Sequence, residues 1–387
     1  MHGAMKERVL ILGGGFAGLE LMTRLSTDLA DQVDVTLIDQ SDTFIFGFSK
    51  LDIMLGRRSA NDVRLRYRDI GRDVVEFRQE RITSIDPVER HVVTDGGTHE
   101  ADVLVVALGA DYDPAATPGF VEDGFEYYSV GGAERLRDKL SSFDSGAVVI
   151  AILGEPYKCP PAPFEGAYLI HDHLTERGVR QAATIRVIGP MEAPVPITRE
   201  VSEALLRGMS DRAIEFTPRT LVTHLDTERK MVELEGGESV PYDLFVGIPI
   251  HRVPAVVEDS GLAVGGWVPV DKRNLMTRFP NVYAVGDVAS APVAKAGVFA
   301  ESAARAVADD LAGRLRGTGP AAPFDGAGNC YIEFGEGLVG KVEANFLGGP
   351  KPTGRLVGPS LELAREKEAF ASSRRARWFA GAASAES

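Results

Sequence analysis

Residues 8–18 read "RVLILGGGFAG", an apolar run that breaks into a cluster of glycines. The next stretch, "LELMTRLSTDL" over 19–29, carries helical periodicity, and "DVTLID" over 34–39 reads as a second strand. Strand, glycine turn, helix and strand make a βαβ unit. Gly13, Gly15 and Gly18 fit the G-x-G-x-x-G spacing. The first glycine allows the tight turn, the second lets a pyrophosphate approach the backbone, and the third lets helix and strand pack closely. The helix N-terminus adds free amides and a partial positive charge. Asp39 ends the second strand, about 20 residues past the last glycine, where an acid can bind ribose hydroxyls. Together these pieces predict a dinucleotide-binding domain at the start of the chain.

Two distant segments complete that domain. Residues 102–110, "DVLVVALGA", read as a strand ending in a glycine turn, and 277–287, "TRFPNVYAVGD", place a strand just before Gly286 and Asp287. Between them the pattern restarts, with a strand "AVVIAIL" (147–153), a helix around 164–177, a strand "TIRVIG" (184–189) and a helix around 199–208. Alternation of this kind predicts a second doubly wound unit. The expected class is α/β: two Rossmann-like dinucleotide-binding domains, the first discontinuous, plus a small C-terminal α+β segment. The boundaries are 1–110 and 242–316 for the first domain, 111–241 for the second and 317–387 for the last. A Gly/Pro-rich linker, "RGTGPAAPF", opens the last segment, followed by strands in "NCYIEF" and "GLVGKVEA" and a helix over 361–379.

The 387 residues, 44% hydrophobic and 25% charged, suit a globular protein of two or three domains. A net charge of −14 argues against nucleic acid as a partner. The start, "MHGAMKERVLILGGG", carries no apolar leader and no twin arginine, and no run is long enough to span a bilayer, so the expected location is cytoplasmic. An oligomer is compatible with this composition.

The second unit departs from a pyridine-nucleotide site. Its first strand leads into residues 154–163, "GEPYKCPPAP". Prolines donate no backbone hydrogen bond, and no glycine trio follows, so the loop is poorly made for a pyrophosphate. It offers Cys159 instead. The chain has one other cysteine, Cys330. In a reducing compartment such a pair reads as catalytic or metal-binding, or as two unrelated buried thiols. His171 and His173 raise a zinc site, but without a C-x-x-C spacing, and with two histidines that do not share a helix face, no metal is expected.

The N-terminal fingerprint paired with the distant "VYAVGD" strand resembles the two-dinucleotide-binding-domain flavoproteins. That resemblance implies FAD against Gly13, Gly15, Phe16, Ala17, Gly18, Asp39 and Gln40 of the first pieces. Ala107, Gly109, Gly286, Asp287 and Lys295 would supply the rest. More narrowly, "YKCPPAPFE" (157–165), "GNCY" (328–331) and "GDVASAPVAKAGVFAE" (286–301) are similar to sulfide:quinone oxidoreductases and the flavoprotein subunit of flavocytochrome c sulfide dehydrogenases. The resemblance implies that Cys159 and Cys330 form a redox-active disulfide or polysulfide bridge over the flavin. Cys330 would face the ring and Cys159 would receive sulfide sulfur. Glu165 reads either as a proton shuttle beside the sulfur or as an acid favoured at a helix start. Lys295 reads either as a charge stabilising reduced flavin or as a solvated first-turn lysine.

Many relatives carry a third cysteine before this loop, and some attach FAD through a thioether. With neither cysteine present here, the FAD is expected to be non-covalent. Quinone is the expected acceptor. Reduction of a cytochrome c, a type II NADH:quinone dehydrogenase-like activity, and a flavin and disulfide redox sensor are the alternatives. Arg374, Arg375 and Arg377 beside Trp378 and Phe379 allow two readings of the last helix. It could lie peripherally in a membrane headgroup layer, or pack on the body of the protein. The tail "GAASAES" reads as frayed.

Overall fold

The computed structural model describes residues 5–319 and 321–379; the "GAASAES" tail lies outside them. Five parallel strands form the first sheet, in the order Val282–Ala284, Val103–Val106, Glu7–Leu12, Val33–Asp39, Val75–Gln79. Val282–Ala284, Val103–Val106 and the stretch from Val9 to Leu12 are apolar and buried on both faces because helices and loops cover both, as a parallel sheet requires, whereas the edge strand Val75–Gln79 is partly exposed. Helix α1 (Phe16–Asp28) follows the first strand. The late strand Val282–Ala284 docks beside Val103–Val106, so the first domain is assembled from chain-distant pieces.

The second sheet is also parallel, ordered Gly124–Phe125, Leu244–Ile248, Gly146–Ile152, Ala183–Ile188, Ile214–Thr217. The expected boundary at 241 is therefore too early. "LFVGI" is buried throughout and pairs with Gly146–Ile152 at the middle of this sheet. The chain leaves the second unit only after it. Helix α2 (Ala162–Glu176) starts where the proline loop ends, and helix α3 (Gly297–Arg316) packs on α1 in the first domain. A three-stranded antiparallel sheet, Ala327–Glu333, Val339–Asn345, Thr353–Ser360, leads into helix α4 (Leu361–Trp378).

The end of α4 is seated in the first domain. Trp378 has no exposed surface and meets Phe16, Phe44 and Phe46 with ring centroids 5.6, 5.7 and 6.1 Å away. Its indole N–H donates to Glu20 Oε2 at 2.9 Å. Glu20, on α1, and Glu301, on α3, are fully buried carboxylates. Arg305 donates to Glu20 at 2.7 Å, Arg377 pairs with Glu20 and donates to Glu301 at 2.7 Å, and Arg374 donates to Glu301 at 3.1 Å. The basic and aromatic cluster is thus the socket of the helix. The reading that lays this cluster in a headgroup layer is corrected for Arg374, Arg377, Trp378 and Phe379: the two guanidiniums are spent on carboxylates that burial would otherwise penalise, the two rings are buried, and only Arg375 is exposed. Among the described residues no helix is long and apolar enough to cross a membrane.

Trp378→Ala opens a cavity between α4 and the first domain and leaves Glu20 short of a donor. The expected cost is about 3–5 kcal/mol. It should read as a clear fall in the thermal midpoint; an unchanged midpoint would mean that this helix end is not part of the core.

Candidate functional site

A cavity of about 740 Å³ runs between the two sheets' C-terminal edges and the antiparallel sheet. At one end is the glycine turn. Gly13 has φ +103°, and a Cβ there would sit 2.5 Å from the Ala107 oxygen; one on Gly18 would sit 1.9 Å from the Gly13 oxygen. A Cβ on Gly15 would meet nothing within 4 Å, so at that position the backbone faces open space. This is the division of labour that a pyrophosphate cradle demands. Asp39 fixes the turn: Oδ2 accepts from the Gly14 amide at 2.7 Å and Oδ1 from Ser41 at 2.8 Å. Burial raises its carboxyl above the ordinary value, offset by those amides. Each oxygen keeps a lone pair for a ribose hydroxyl. Phe16, Ala17, Gln40, Ala107, Gly109, Gly286 and Asp287 line the same cavity. The start of α3 also borders it, with no side-chain cap on its first amides. Shape, volume and donors fit a bound dinucleotide.

The other end holds the thiols. Cys159 lies at φ +54°, the left-handed region a side chain rarely adopts. Its amide donates to the Lys295 carbonyl at 2.7 Å, and its carbonyl accepts from Ala162 at 2.9 Å. Cys330 comes from the strand Ala327–Glu333. Both are free, half-buried thiols, and both line the cavity. Glu165, in the first turn of α2, joins them: its Oε2 lies 3.9 Å from Cys159 Sγ, and Oε1 accepts from the Glu333 amide at 2.8 Å. Burial, then the neighbouring Glu165, pushes Cys159 well up and Cys330 up to about 12. Burial pushes Glu165 to about 7, against the pull of the Lys367 ammonium.

Lys295 lines the cavity too, but its ammonium is engaged. It donates to the Asp287 carbonyl at 2.6 Å and the Ala289 carbonyl at 3.3 Å, and it lies 3.4 Å from the Trp267 ring centroid. A solvated first-turn lysine does not describe it. Burial lowers it to about 8. His171 and His173 sit on α2, where His171 contacts Asp172; among the described residues there is no cluster fit to hold a metal.

Sequence reading missed several cavity residues. Lys50, from the short helix Ser49–Met54, and Lys158 both reach it. Phe48, Tyr331 and Phe370 form an aromatic wall, with Phe48–Phe370 and Tyr331–Phe370 centroids 6.5 and 5.7 Å apart. Lys158 was one residue from the quoted cysteine. The aromatics come from three segments that share no local motif.

Two Rossmann-like sheets, a dinucleotide cradle and thiols at its far end define a flavin-dependent oxidoreductase. The chain belongs to the pyridine nucleotide-disulphide oxidoreductase family, which it matches over residues 7–155 and 169–308, and its cofactor is FAD. The gap in that match, 156–168, contains Cys159 and Glu165. The mitochondrial sulfide:quinone oxidoreductase of Dictyostelium discoideum is 24% identical over 376 residues, spanning 94% of this chain and 81% of that protein. A type II NADH:quinone oxidoreductase of Staphylococcus haemolyticus is 26% identical over 313 residues, 74% of this chain and 75% of its own length. The crystal structure of sulfide:quinone oxidoreductase from Aquifex aeolicus superposes with a TM-score of 0.85 at 23% identity, covering 97% of this chain and 92% of that one.

Gly18→Ala cannot be accommodated without moving backbone, because its Cβ meets the Gly13 oxygen. The variant is expected to purify colourless or with a small fraction of the wild-type flavin. The ratio of flavin to protein absorbance after gel filtration measures it, and full retention would refute the cradle.

Proposed function

We propose that this protein oxidises sulfide, or a related low-molecular sulfur species, at Cys159 and Cys330 and delivers the electrons through non-covalent FAD to a quinone. The observation that carries the reading is the meeting of both thiols and the Glu165 carboxyl in the cavity that also holds the dinucleotide cradle. The loop that would otherwise serve a nicotinamide dinucleotide supports it. Pro161 is the N-cap of α2 and donates nothing, and a Cβ on Gly166 would strike the Tyr127 hydroxyl at 2.5 Å, so the helix start is already packed.

The resting form in this scheme is the Cys159–Cys330 disulfide. Hydrosulfide attacks the Cys159 sulfur; the S–S bond breaks, a persulfide forms on Cys159, and Cys330 leaves as a thiolate. Glu165, within reach of Cys159, takes the persulfide proton. Closure of the Cys330 thiolate onto the deprotonated Cys159 persulfide forms a new S–S bond and releases two electrons, for which bound FAD would supply a two-electron acceptor able to pass them on singly or in pairs. Burial and Glu165 both disfavour charge on the two sulfurs, so a thiolate released there is a strong reductant rather than a resting anion. Phe48, Tyr331 and Phe370 offer flat faces for a quinone ring, and Lys367 lies 5.1 Å from the Phe48 centroid. A lipid-borne quinone would approach by this wall rather than by the buried Arg374–Trp378 socket.

Anaerobic mixing of the yellow protein with sulfide should bleach the flavin or raise a long-wavelength band, whereas NADH should do little. Cys159→Ser and Cys330→Ser should each abolish the response with FAD retained. Bleaching by NADH and not by sulfide would overturn the proposal.

The groups facing Glu165 are Cys159, Cys330, Tyr127, Glu333 and Lys367. A base must be ionised to accept a proton, so turnover should rise with pH through about 7, where burial has moved this carboxyl. Glu165→Gln should lower kcat about 10²-fold and remove that limb, leaving only the ionisation of sulfide itself. A pH profile unchanged by the substitution would take Glu165 out of the chemistry.

A further inference from the structure

Three ammonium groups line the cavity of a chain whose net charge is −14. Each is held by neutral oxygens. Lys295 is closed off by two carbonyls and the Trp267 ring. Lys158 Nζ donates to the Ala110 carbonyl at 2.6 Å and the Tyr112 hydroxyl at 3.3 Å. Lys50 Nζ donates, among the described residues, to the Tyr128 carbonyl alone, at 2.7 Å. An ammonium has three donors, so Lys50 keeps two N–H bonds for a ligand and Lys158 one.

Asp287 and Glu126 offset part of this charge without pairing directly with either Lys50 or Lys158. His251 is neutral: its Nδ1 donates to the Pro249 carbonyl at 2.7 Å, and its Nε2 accepts from the Lys158 amide at 3.3 Å. Glu126 is spent on the Ser129 amide, at 2.9 Å, the Ser129 hydroxyl and the Tyr128 amide. Lys158 is the chain neighbour of Cys159, the sulfur that takes the incoming nucleophile in the scheme above.

We propose that Lys50 and Lys158 form an anion subsite beside the Cys159 sulfur, which receives the sulfur donor as the hydrosulfide monoanion. The inference rests on the sulfide-oxidising reading and specifies the ionic form of its substrate. A desolvated cation is worth more to an anion than a surface one. The subsite therefore concentrates the reactive species inside a protein whose outer field repels it. Lys50 faces Lys158, Glu126, Asp287 and Cys159; burial and then Lys158 lower it to about 8. It is charged at neutral pH, and anion affinity falls as pH rises through that value.

The probe is thiocyanate, a small monoanion, titrated into the FAD-loaded protein while the visible flavin spectrum is followed. It should perturb the spectrum, compete with sulfide in turnover, and bind more weakly as pH rises through about 8. Lys50→Met and Lys158→Met should each weaken thiocyanate binding and raise the KM for sulfide about tenfold, with a smaller change in kcat. Lys158→Arg, which keeps the charge, should restore most of the binding. If thiocyanate binds through these lysines in a protein that sulfide does not reduce, the subsite stands and the sulfide reading falls. If both substitutions shift the flavin midpoint potential while leaving thiocyanate affinity and sulfide KM unchanged, the lysines serve the cofactor and the proposal is wrong.

Discussion

The hydrogen bond from the Cys159 amide to the Lys295 carbonyl is the contact on which the site depends. It is 2.7 Å long and belongs to a parallel bridge between Lys158 and Lys295. The loop of the second unit is thereby tied to the segment that starts α3 in the first. A non-glycine residue in the left-handed region costs about 1–3 kcal/mol, and it persists where the surroundings over-determine it. Here the restraints are the Lys295 carbonyl on one side and the Ala162 amide on the other. The strained turn sets Cys159 on the cavity wall, and the same tie brings Lys158 alongside.

Charge is distributed unevenly around this centre, and the unevenness is what gives the cavity its character. At the α4 socket, Glu20 and Glu301 are answered by Arg305, Arg374 and Arg377. Geometry there is closed, with bidentate donors and an indole filling the remaining valence, as a buried carboxylate needs. In the cavity the lysines meet carbonyl oxygens, which hold a cation in place without neutralising it. One cluster stabilises the assembly. The other leaves N–H groups of Lys50 and Lys158 without an acceptor among the described residues.

Legibility followed the range of the interactions. The glycine turn, Asp39 and the alternating strands and helices were readable because each is encoded within some 30 residues by local sterics and periodicity. Leu244–Ile248 fell on the wrong side of the expected boundary at 241, since an apolar run says nothing of which neighbours flank it. The strand Thr353–Ser360 went unread because its glycines and proline mask a pairing supplied by Val339–Asn345. Arg374, Arg377 and Trp378 could equally have dressed a lipid-facing helix. What decides between the two is a pair of carboxylates on α1 and α3, and no local rule reaches that far. Lys50 lay in a stretch without a motif, and only the cavity reveals it.

The proline loop departs from what a pyridine-nucleotide site requires. In a pyridine-nucleotide site the strand end must leave room for phosphates, and the helix start must keep its amides free. Here Pro160 and Pro161 remove donors, Tyr127 donates its hydroxyl to the Ala162 carbonyl at 2.8 Å, and Glu165 places a carboxyl in the first turn. A diphosphate would meet an acid where it needs amides. The cavity is lined instead by the Cys159 thiol, the Glu165 carboxyl and the Lys50 and Lys158 ammoniums. The second unit keeps its parallel sheet, and where a pyridine-nucleotide site would hold phosphates its loop sets the Cys159 thiol on the cavity wall.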